Sequence, residues 1–352
     1  MDNELGLLVL VFLIISSIII PLNVKSQEFM AFKNMILISL IVSISLMYGL
    51  RAEDYGADTP IYIFFFNSAA NFDSIFEYVN YVPMEIGFSV FSYLIHLILP
   101  YNSMFLLICS SLIVLFFYIL SRRVNEKDYI FVFIFILICF PFFKSIGINV
   151  IRSGLALSIC YLSVEYIRVN KLGKGFTLGI IATSFHLVSM VFIVSFLVKE
   201  KIKVKNYIYI WLFSIAIGFV DITKVIGSVT RDFGRVGEKV SSYSQFDLID
   251  YQVGLRLDFF ILSIIPILIY FFCKIAMKKF DSLLEYYLKL YLIFNSIYFI
   301  LCNLPYSDRV GMISWLLIPF FLVRLFHVLN LFYKYIFLFF NVFVFYFFNM
   351  VV

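Results

Sequence analysis

Long apolar stretches dominate this chain and decide what it can fold into. About twelve of them recur along the sequence, most of them close to the roughly 20 residues that an α-helix needs to cross a bilayer. Hydrophobic residues make up 63% of the 352 residues and charged residues 14%, against about 25% charge in a soluble domain. Lipid is the solvent that accepts such a chain, so the sequence predicts an all-α polytopic membrane protein.

The apolar stretches predict about 11–12 transmembrane helices in a single membrane domain over residues 1–352. The first is expected to be retained rather than cleaved as a signal peptide, because Asp2 and Glu4 make its start acidic and no small-residue cleavage site follows. The predicted spans are 5–22, 31–50, 84–99, 104–120, 129–143, 150–167, 176–198, 207–220, 255–273, 283–304, 310–326 and 331–350.

Two longer polar segments interrupt the apolar stretches. Residues 51–83 are acidic, and their aromatic run Ile61–Phe66 is too short to span. It is expected to form an interfacial helix or to pack against the mouth of the bundle. Residues 221–252 carry charges of both signs. Both segments are expected to be outer loops, because the basic residues at 199–205 and 274–279 indicate cytoplasmic loops and strict alternation then places both on the other side.

The same alternation conflicts with the positive-inside rule at one place. It puts Arg122, Arg123, Lys171 and Lys174 on the outer side, where cationic loops are disfavoured. One segment between residues 60 and 200 is therefore expected not to cross fully.

The net charge and the cysteines give no indication of a soluble ligand. The net charge of +5 is expected from loop anchors, so nucleic acid is not predicted as a partner. The five cysteines lie within or at the ends of apolar runs without a CxxC spacing, and we expect ordinary buried thiols. No phosphate-loop, dinucleotide or zinc motif is present, so neither a cofactor nor a metal is predicted.

Charged residues at the mouths of apolar helices are the functional candidates, because charge within a membrane is costly. Arg51, Asp58 and Tyr62 follow the second stretch, with Gly56 suited to a tight turn and Pro60 to the start of a short helix. A solvated loop that ends in a helix cap is equally consistent with this pattern.

Three further polar residues lie in or beside apolar stretches. Glu85 opens one of them, where the helix dipole or a role as general base would explain a carboxylate. Arg152 follows a helix start among small residues, and it is either an interfacial anchor or a phosphate ligand. His186 lies near the middle of residues 176–198 and must face the bundle interior, for an interhelical hydrogen bond or for catalysis.

Two arginines open later helices. Arg256 and Arg309 stand beside Asp258 and Asp308, with which they could simply pair. They are predicted on the same face as the two outer loops, where several arginines would attract a polyanionic headgroup.

The order and spacing of these motifs resemble the EpsG-type family of predicted polysaccharide polymerases, which includes many O-antigen polymerases called Wzy. The resemblance covers most of residues 48–320, and each motif is short. The residues that carry it are Arg51, Gly56, Asp58, Thr59 and Tyr62, then Glu85 with Gly87-Phe88, Arg152-Ser153-Gly154-Leu155-Ala156, Phe185-His186 and Asp308-Arg309.

The resemblance implies a multi-pass protein of the bacterial inner membrane with its active face in the periplasm, and an architecture similar to that of GT-C-like lipid-linked-sugar glycosyltransferases. It implies transfer of a growing glycan from undecaprenyl pyrophosphate onto a lipid-linked oligosaccharide repeat unit. A separate chain-length regulator is a possible protein partner. Asp58, Glu85 and His186 are then the candidate catalytic bases. Arg51, Tyr62, Arg152, Arg256 and Arg309 are the candidate substrate ligands.

Three other classes of membrane protein are weighed against this one. An O-antigen ligase would use the same donor, but residues 221–252 lack the histidine that a ligase's outer loop usually carries. A flippase for lipid-linked oligosaccharides would show two similar halves, which the sequence lacks. A membrane acyltransferase would need a His-Asp pair on one helix, and neither His96 nor His327 has such a partner in the sequence.

Overall fold

The computed structural model describes residues 3–22, 24, 26–198, 201–220, 253–277 and 281–351, and the predicted outer loop at 221–252 lies outside them. Every regular element in these ranges is helical, which confirms the predicted all-α fold. The α-helices are α1 (Asn3–Ile19), α2 (Gln27–Gly49), α3 (Thr59–Ser68), α4 (Ile75–Tyr81), α5 (Ile86–Ile98), α6 (Asn102–Val124), α7 (Lys127–Cys139), α8 (Pro141–Ile148), α9 (Ile151–Arg168), α10 (Leu172–Phe185), α11 (Val204–Gly218), α12 (Leu257–Ala276), α13 (Ser282–Ile300), α14 (Ser307–Trp315), α15 (Ile318–Val328) and α16 (Leu331–Tyr346).

The chain divides into two compact units. Unit 1 consists of Met1–Ile193 with Leu329–Val352, and unit 2 of Val194–Val328. The boundary falls within a 3₁₀ helix, Leu187–Leu197, that follows α10. Two shorter elements complete the helical inventory, a 3₁₀ turn at Ala69–Asn71 and a π-helical end at Phe347–Val351. The prediction of one membrane domain over residues 1–352 stays a prediction.

Fewer helices than predicted are long enough to cross a membrane by themselves. By length and composition five described helices or helix pairs qualify, or six if the bent pair α7–α8 forms one span. The lower count arises because several apolar runs are broken. The run predicted at 129–143 bends by 74° at the α7–α8 junction, where Pro141 begins α8. The run predicted at 176–198 ends as an α-helix at Phe185.

Unit 1 has two chemically different ends. α2 and α6 run side by side in opposite directions, with Gly49 packed against Leu107 at one end and Lys33 beside Arg122 at the other. We call these the Arg51 end and the Lys33 end. α9 runs parallel to α6, since Gly154 packs on Ile113 and Arg123 donates a hydrogen bond to Tyr166.

α5 is the segment that does not cross. Glu85, directly before α5, bonds Arg152 at the start of α9, and Asn102, shortly after α5, donates to Glu53 at 2.8 Å. Both ends of α5 therefore lie at the Arg51 end. Its 13 residues extend about 20 Å at 1.5 Å per residue, short of the ~30 Å hydrocarbon core. The crossing predicted at 84–99 is thus replaced by a helix that starts and ends on one side.

This placement of α5 brings the basic residues of unit 1 to one end. α6 runs from the Arg51 end to the Lys33 end, so Arg122 and Arg123 lie at the Lys33 end. α10 turns back from the end of α9, where the Ser163 hydroxyl donates to the Gly175 carbonyl at 2.6 Å, and Lys171 and Lys174 fall at the same end. Lys33, Arg122, Arg123, Lys171 and Lys174 therefore share one end of unit 1.

The core of unit 2 is held by a buried polar network. The Asn295 carbonyl oxygen accepts from Trp211 Nε1 at 2.7 Å, and its amide donates to the hydroxyls of Ser263 and Ser314 at 3.0 Å each. Trp315 Nε1 also donates to Ser263 at 3.1 Å. Four helices, α11 to α14, are joined in this way at a site from which solvent is excluded, as expected for hydrogen bonds between membrane helices.

The position of α5 predicts the side from which Tyr101 is accessible. Cysteines that replace Tyr101 and Asp54 should react with a membrane-impermeant thiol reagent from one side of the membrane, and cysteines at Arg123 and Lys171 from the other. The five native cysteines are buried and should stay silent. Labelling of the Tyr101 cysteine from the Arg123 side would show that α5 crosses.

The buried network predicts a stability difference between two asparagines. Asn295→Leu should reduce the free energy of unfolding by about 1–3 kcal/mol, because it leaves the Trp211 N–H without an acceptor. The matched control is Asn341→Leu, since the Asn341 amide bonds only the Phe337 carbonyl of its own helix. The melting temperature of purified protein in detergent measures both. Equal losses in the two variants would contradict the network's role.

Candidate active site

Arg51 ties together three segments at the Arg51 end. Its guanidinium donates to the carbonyl of Tyr48, to the Thr59 hydroxyl at 3.1 Å and to the carbonyl of Ile148 at 3.0 Å. The residue is 3% exposed, and burial lowers the pKa of Arg51 to about 10, so it remains charged at neutral pH. With its donors directed to the ends of α2 and α8 and the start of α3, Arg51 is placed as a structural clamp.

The loop between Arg51 and α3 is docked on the α8–α9 junction. Gly56 adopts φ +102°, and a Cβ there would come within 2.8–2.9 Å of Ile148, Asn149 and Thr59, so only glycine suits this turn. The backbone N–H of Ala57 donates to the Asn149 side chain at 3.1 Å. The tight turn predicted at Gly56 and the short helix predicted to start at Pro60 are both confirmed, since α3 begins at Thr59 with Pro60 in its first turn.

Asp58 and Tyr62 occupy different settings on this segment. Asp58 stands at the N-cap of α3 but makes no capping hydrogen bond with its side chain, and it is half-buried. Tyr62 is buried, and its ring packs edge-on against Phe88 of α5 with the centroids 5.8 Å apart. Tyr62 therefore packs α3 against α5, the helix that begins directly after Glu85.

Glu85 and Arg152 form an ion pair at the Arg51 end. Arg152 Nη1 donates to Glu85 Oε2 at 2.5 Å, with the two side chains 17% and 11% exposed. Glu85 is the N-cap residue of α5, yet its side chain does not cap the helix. Its carboxylate turns instead toward α9, where it pairs with Arg152. Arg152 Nε is buried and makes no hydrogen bond.

His186 joins this pair because α10 breaks beside it. The expectation that His186 lies within a continuous helix over 176–198 is wrong, since its backbone is extended (φ −159°, ψ 129°) and ends α10. Its Nδ1 accepts from the Val188 N–H at 3.2 Å and lies 4.0 Å from Glu85 Oε1. The N–H of Leu187 points at the same carboxylate oxygen from 3.5 Å. Because α10 ends here, the His186 ring and the Leu187 N–H both lie beside the Glu85 carboxylate.

A close approach of two helices brings these residues together. A Cβ on Gly87 of α5 would lie 2.2 Å from the Ser184 hydroxyl of α10. α5 can thus lie directly against the end of α10, with Glu85 beside His186. In the same way Gly154 of α9 lies against the Ile146 carbonyl of α8, which confirms that small residues after Arg152 permit tight packing.

The two later arginines belong to unit 2. Arg256 is bonded to Asp258 through two nitrogens, at 3.1 and 2.5 Å, and covers the Phe259 ring at 3.9 Å. Arg309 lies 4.8 Å from the centroid of Tyr306, a residue in the left-handed conformation. Arg256 and Asp308 both act electrostatically on Tyr298, so the starts of α12 and α14 share one end of unit 2. Their predicted position on the face of the two outer loops stays a prediction.

Sequence reasoning missed Asn149 and Ser184. Asn149 receives the docked loop, and Ser184 contacts Gly87. Asn149 lies three residues before Arg152, and Ser184 lies two residues before His186. A small or amide side chain so close to a predicted site residue was the signal that could have identified them.

The arrangement in unit 1 has the chemistry of an anion site joined to a carboxylate. Arg152 has one guanidinium nitrogen on Glu85 and further donors left for a phosphate oxygen. Among the described residues, Glu85 Oε1 has the Leu187 N–H at 3.5 Å and the His186 ring at 4.0 Å beside it, so it can accept a hydrogen bond from a hydroxyl group. Within the described ranges no three His, Cys, Asp or Glu side chains cluster to hold a metal ion.

The close approach at Gly87 predicts a large effect of a single methyl group. Gly87→Ala should destabilise the protein, because the new Cβ meets both the side chain and the carbonyl of Ser184 within 2.8 Å. Gly173→Ala on α10 is the control, since a Cβ there meets nothing within 4 Å. Melting temperatures in detergent compare the two variants. A Gly87→Ala variant as stable as Gly173→Ala would show that α5 does not lie on α10.

Comparison with known proteins gives one match. The family model described as the EpsG family matches residues 34–352, which includes all the candidate residues of both units. No curated protein and no solved structure matches the chain. Membership of this family suggests a polysaccharide-polymerase-like function in general. The chain belongs to the EpsG family.

Proposed function

We propose that this protein is a polysaccharide polymerase of the O-antigen type. It transfers a growing glycan from undecaprenyl pyrophosphate onto a lipid-linked oligosaccharide repeat unit. The observation that carries the proposal is the Glu85–Arg152 pair at the Arg51 end, with His186 4.0 Å from the carboxylate. A pyrophosphate leaving group and a sugar hydroxyl nucleophile need one anion-binding group and one base, and this cluster offers both.

The reaction breaks one bond and forms another at the anomeric carbon of the donor glycan. An acceptor hydroxyl on the incoming repeat unit attacks that carbon as the bond to the pyrophosphate oxygen breaks. The pyrophosphate leaves with the bonding electron pair, still attached to the polyprenyl chain. The hydroxyl proton passes to a protein base.

Arg152 is the proposed ligand of the leaving pyrophosphate. Its planar guanidinium can hold Glu85 with one nitrogen and a phosphate oxygen with another. Its position at the start of α9 adds the positive end of a helix dipole to the same place. Negative charge that develops on the pyrophosphate oxygen is stabilised from both sources.

Glu85 is the proposed base. Its Oε2 is fixed by Arg152, which leaves Oε1 to accept the acceptor hydroxyl. The Leu187 N–H, 3.5 Å from Oε1, is proposed to orient this oxygen, and the His186 ring borders it with Nδ1 4.0 Å away. Asp58 remains a second candidate base at the Arg51 end. Arg51 acts in this proposal as a positioning residue rather than a ligand, and Tyr62 as a packing contact to α5.

The orientation of the site follows from charge. In unit 1, Lys33, Arg122, Arg123, Lys171 and Lys174 share the end opposite Glu85. Cationic ends of membrane proteins face the cytoplasm, so the Arg51 end is proposed to face the periplasm of an inner-membrane protein. In unit 2 Lys203, Lys205 and Lys274 line one cavity, and Arg256 and Arg309, the candidate substrate ligands of that unit, lie at its opposite end.

A deletion strain of the source organism separates this proposal from the ligase and flippase alternatives. A polymerase mutant attaches single repeat units to the lipid core. A ligase mutant leaves polymer on the carrier and none on the core, and a flippase mutant traps repeat units on the cytoplasmic face. Gel analysis of lipopolysaccharide and of the extracted carrier lipids reads all three outcomes.

The role of Glu85 predicts a selective loss of polymer. Glu85→Gln keeps the shape and an oxygen for Arg152, but removes the base, so chain growth should fall by about 10²–10⁴-fold. Glu77→Gln is the matched control, because Glu77 is an exposed acid of α4 in the same loop. The rate is measured as polymer formed per protein in membranes that contain lipid-linked repeats. Normal ladders in the Glu85→Gln strain at normal protein levels would overturn the assignment.

A further inference from the structure

A cavity with a basic lining opens at the Lys33 end of unit 1, away from Glu85 and Arg152. Its volume is about 370 Å³, and it lies between the end of α1, the start of α2, the end of α6 and the start of α7. We call it the basic cavity. Its lining residues are Ile20, Met30, Lys33, Asn34, Leu37, Tyr118, Arg122, Lys127, Asp128, Ile130 and Phe131.

Three cations and one carboxylate face this cavity. Lys33 is held in place, because its ammonium donates to the carbonyl of Leu22 at 2.8 Å and to that of Ile20 at 3.4 Å. Arg122 lies beside the Tyr118 ring at 6.0 Å, and neither Arg122 nor Lys127 forms an ion pair with another described residue. With Asp128 as the one acid in the lining, the cavity keeps a net positive charge.

The rest of the lining is mostly apolar. Its apolar members are Ile20, Met30, Leu37, Ile130 and Phe131. α2 and α6 are 23-residue candidate spans, so their ends lie at the level of the lipid headgroups. A cavity lined by both cations and apolar side chains at that depth matches the two parts of a phospholipid.

We propose that the basic cavity binds the headgroup of an anionic phospholipid, of the phosphatidylglycerol type, from the cytoplasmic leaflet. Arg122 and Lys127 contact the phosphodiester, and Lys33 closes the site from α2. The apolar side chains of the lining take the first part of an acyl chain. Basic pockets between membrane helices on the cytoplasmic side are a recurring form of lipid recognition. Asp128 is placed to accept a hydrogen bond from a headgroup hydroxyl.

This site is independent of the proposed polymerase reaction. It lies at the opposite end of unit 1 from Glu85, Arg152 and His186, and it uses none of their contacts. Failure of one proposal therefore leaves the other standing.

The test is native mass spectrometry of the purified full-length protein with phosphatidylglycerol or phosphatidylcholine of identical acyl chains. The wild type should bind phosphatidylglycerol at least roughly tenfold more tightly, as expected for two or three cations near a phosphate. Arg122→Gln/Lys127→Gln should remove most of that preference. Lys171→Gln/Lys174→Gln is the matched control, since it removes two exposed charges at the same end outside the cavity.

Two results would overturn the proposal. One is an equal loss in both double variants, which would mean that general surface charge attracts the lipid. The other comes from the wild type alone, so it does not depend on the folding of a variant. Release of bound phosphatidylglycerol by millimolar glycerol phosphate would show a site for free phosphate anions. Retention of the lipid under that competition supports the proposed site.

Discussion

The buried guanidinium of Arg51 is the contact on which the Arg51 end of unit 1 depends. A charge that is 3% exposed survives there because it meets Tyr48, Thr59 and Ile148. Those contacts fix the end of α2 to the start of α3 and to the end of α8. α9 follows α8 after Asn149 and Val150, so the same clamp sets where Arg152 begins its helix. The position of the candidate site is thereby determined by a residue that does not itself face it.

Two breaks in the helical bundle lie beside the ion pair of Glu85 and Arg152. α5 starts beside Glu85 and stays at the Arg51 end, and α10 stops beside His186. Each break leaves backbone groups that a continuous membrane helix would satisfy internally. Glu85 faces the Leu187 N–H, and His186 accepts from Val188. Irregular backbone inside a helical membrane protein is expected where it lines a functional cavity, and this is where the polar residues gather.

Much of this fold and part of the site could be predicted from the sequence. The membrane class follows from composition, and the turn at Gly56 and the helix start at Pro60 follow from preferences of single residues. The break at His186 could not be predicted, because residues 176–198 are long and apolar enough to continue as one helix. Glu85, which faces the break, is distant in sequence. That α5 starts and ends on one side could not be predicted for a similar reason. Its composition permits a crossing, and the contact of Asn102 with Glu53 decides against it.

The central claim is that Glu85 and Arg152 act as one unit at which the carrier pyrophosphate and the acceptor hydroxyl meet. A double-mutant cycle on the rate of chain growth tests it most directly, with Glu85→Gln, Arg152→Gln and the double variant compared at equal levels of folded protein. The account predicts that the double variant loses little more activity than the more damaged single variant, because residues that act together are strongly non-additive. Losses that multiply, or single variants with wild-type rates, would contradict it.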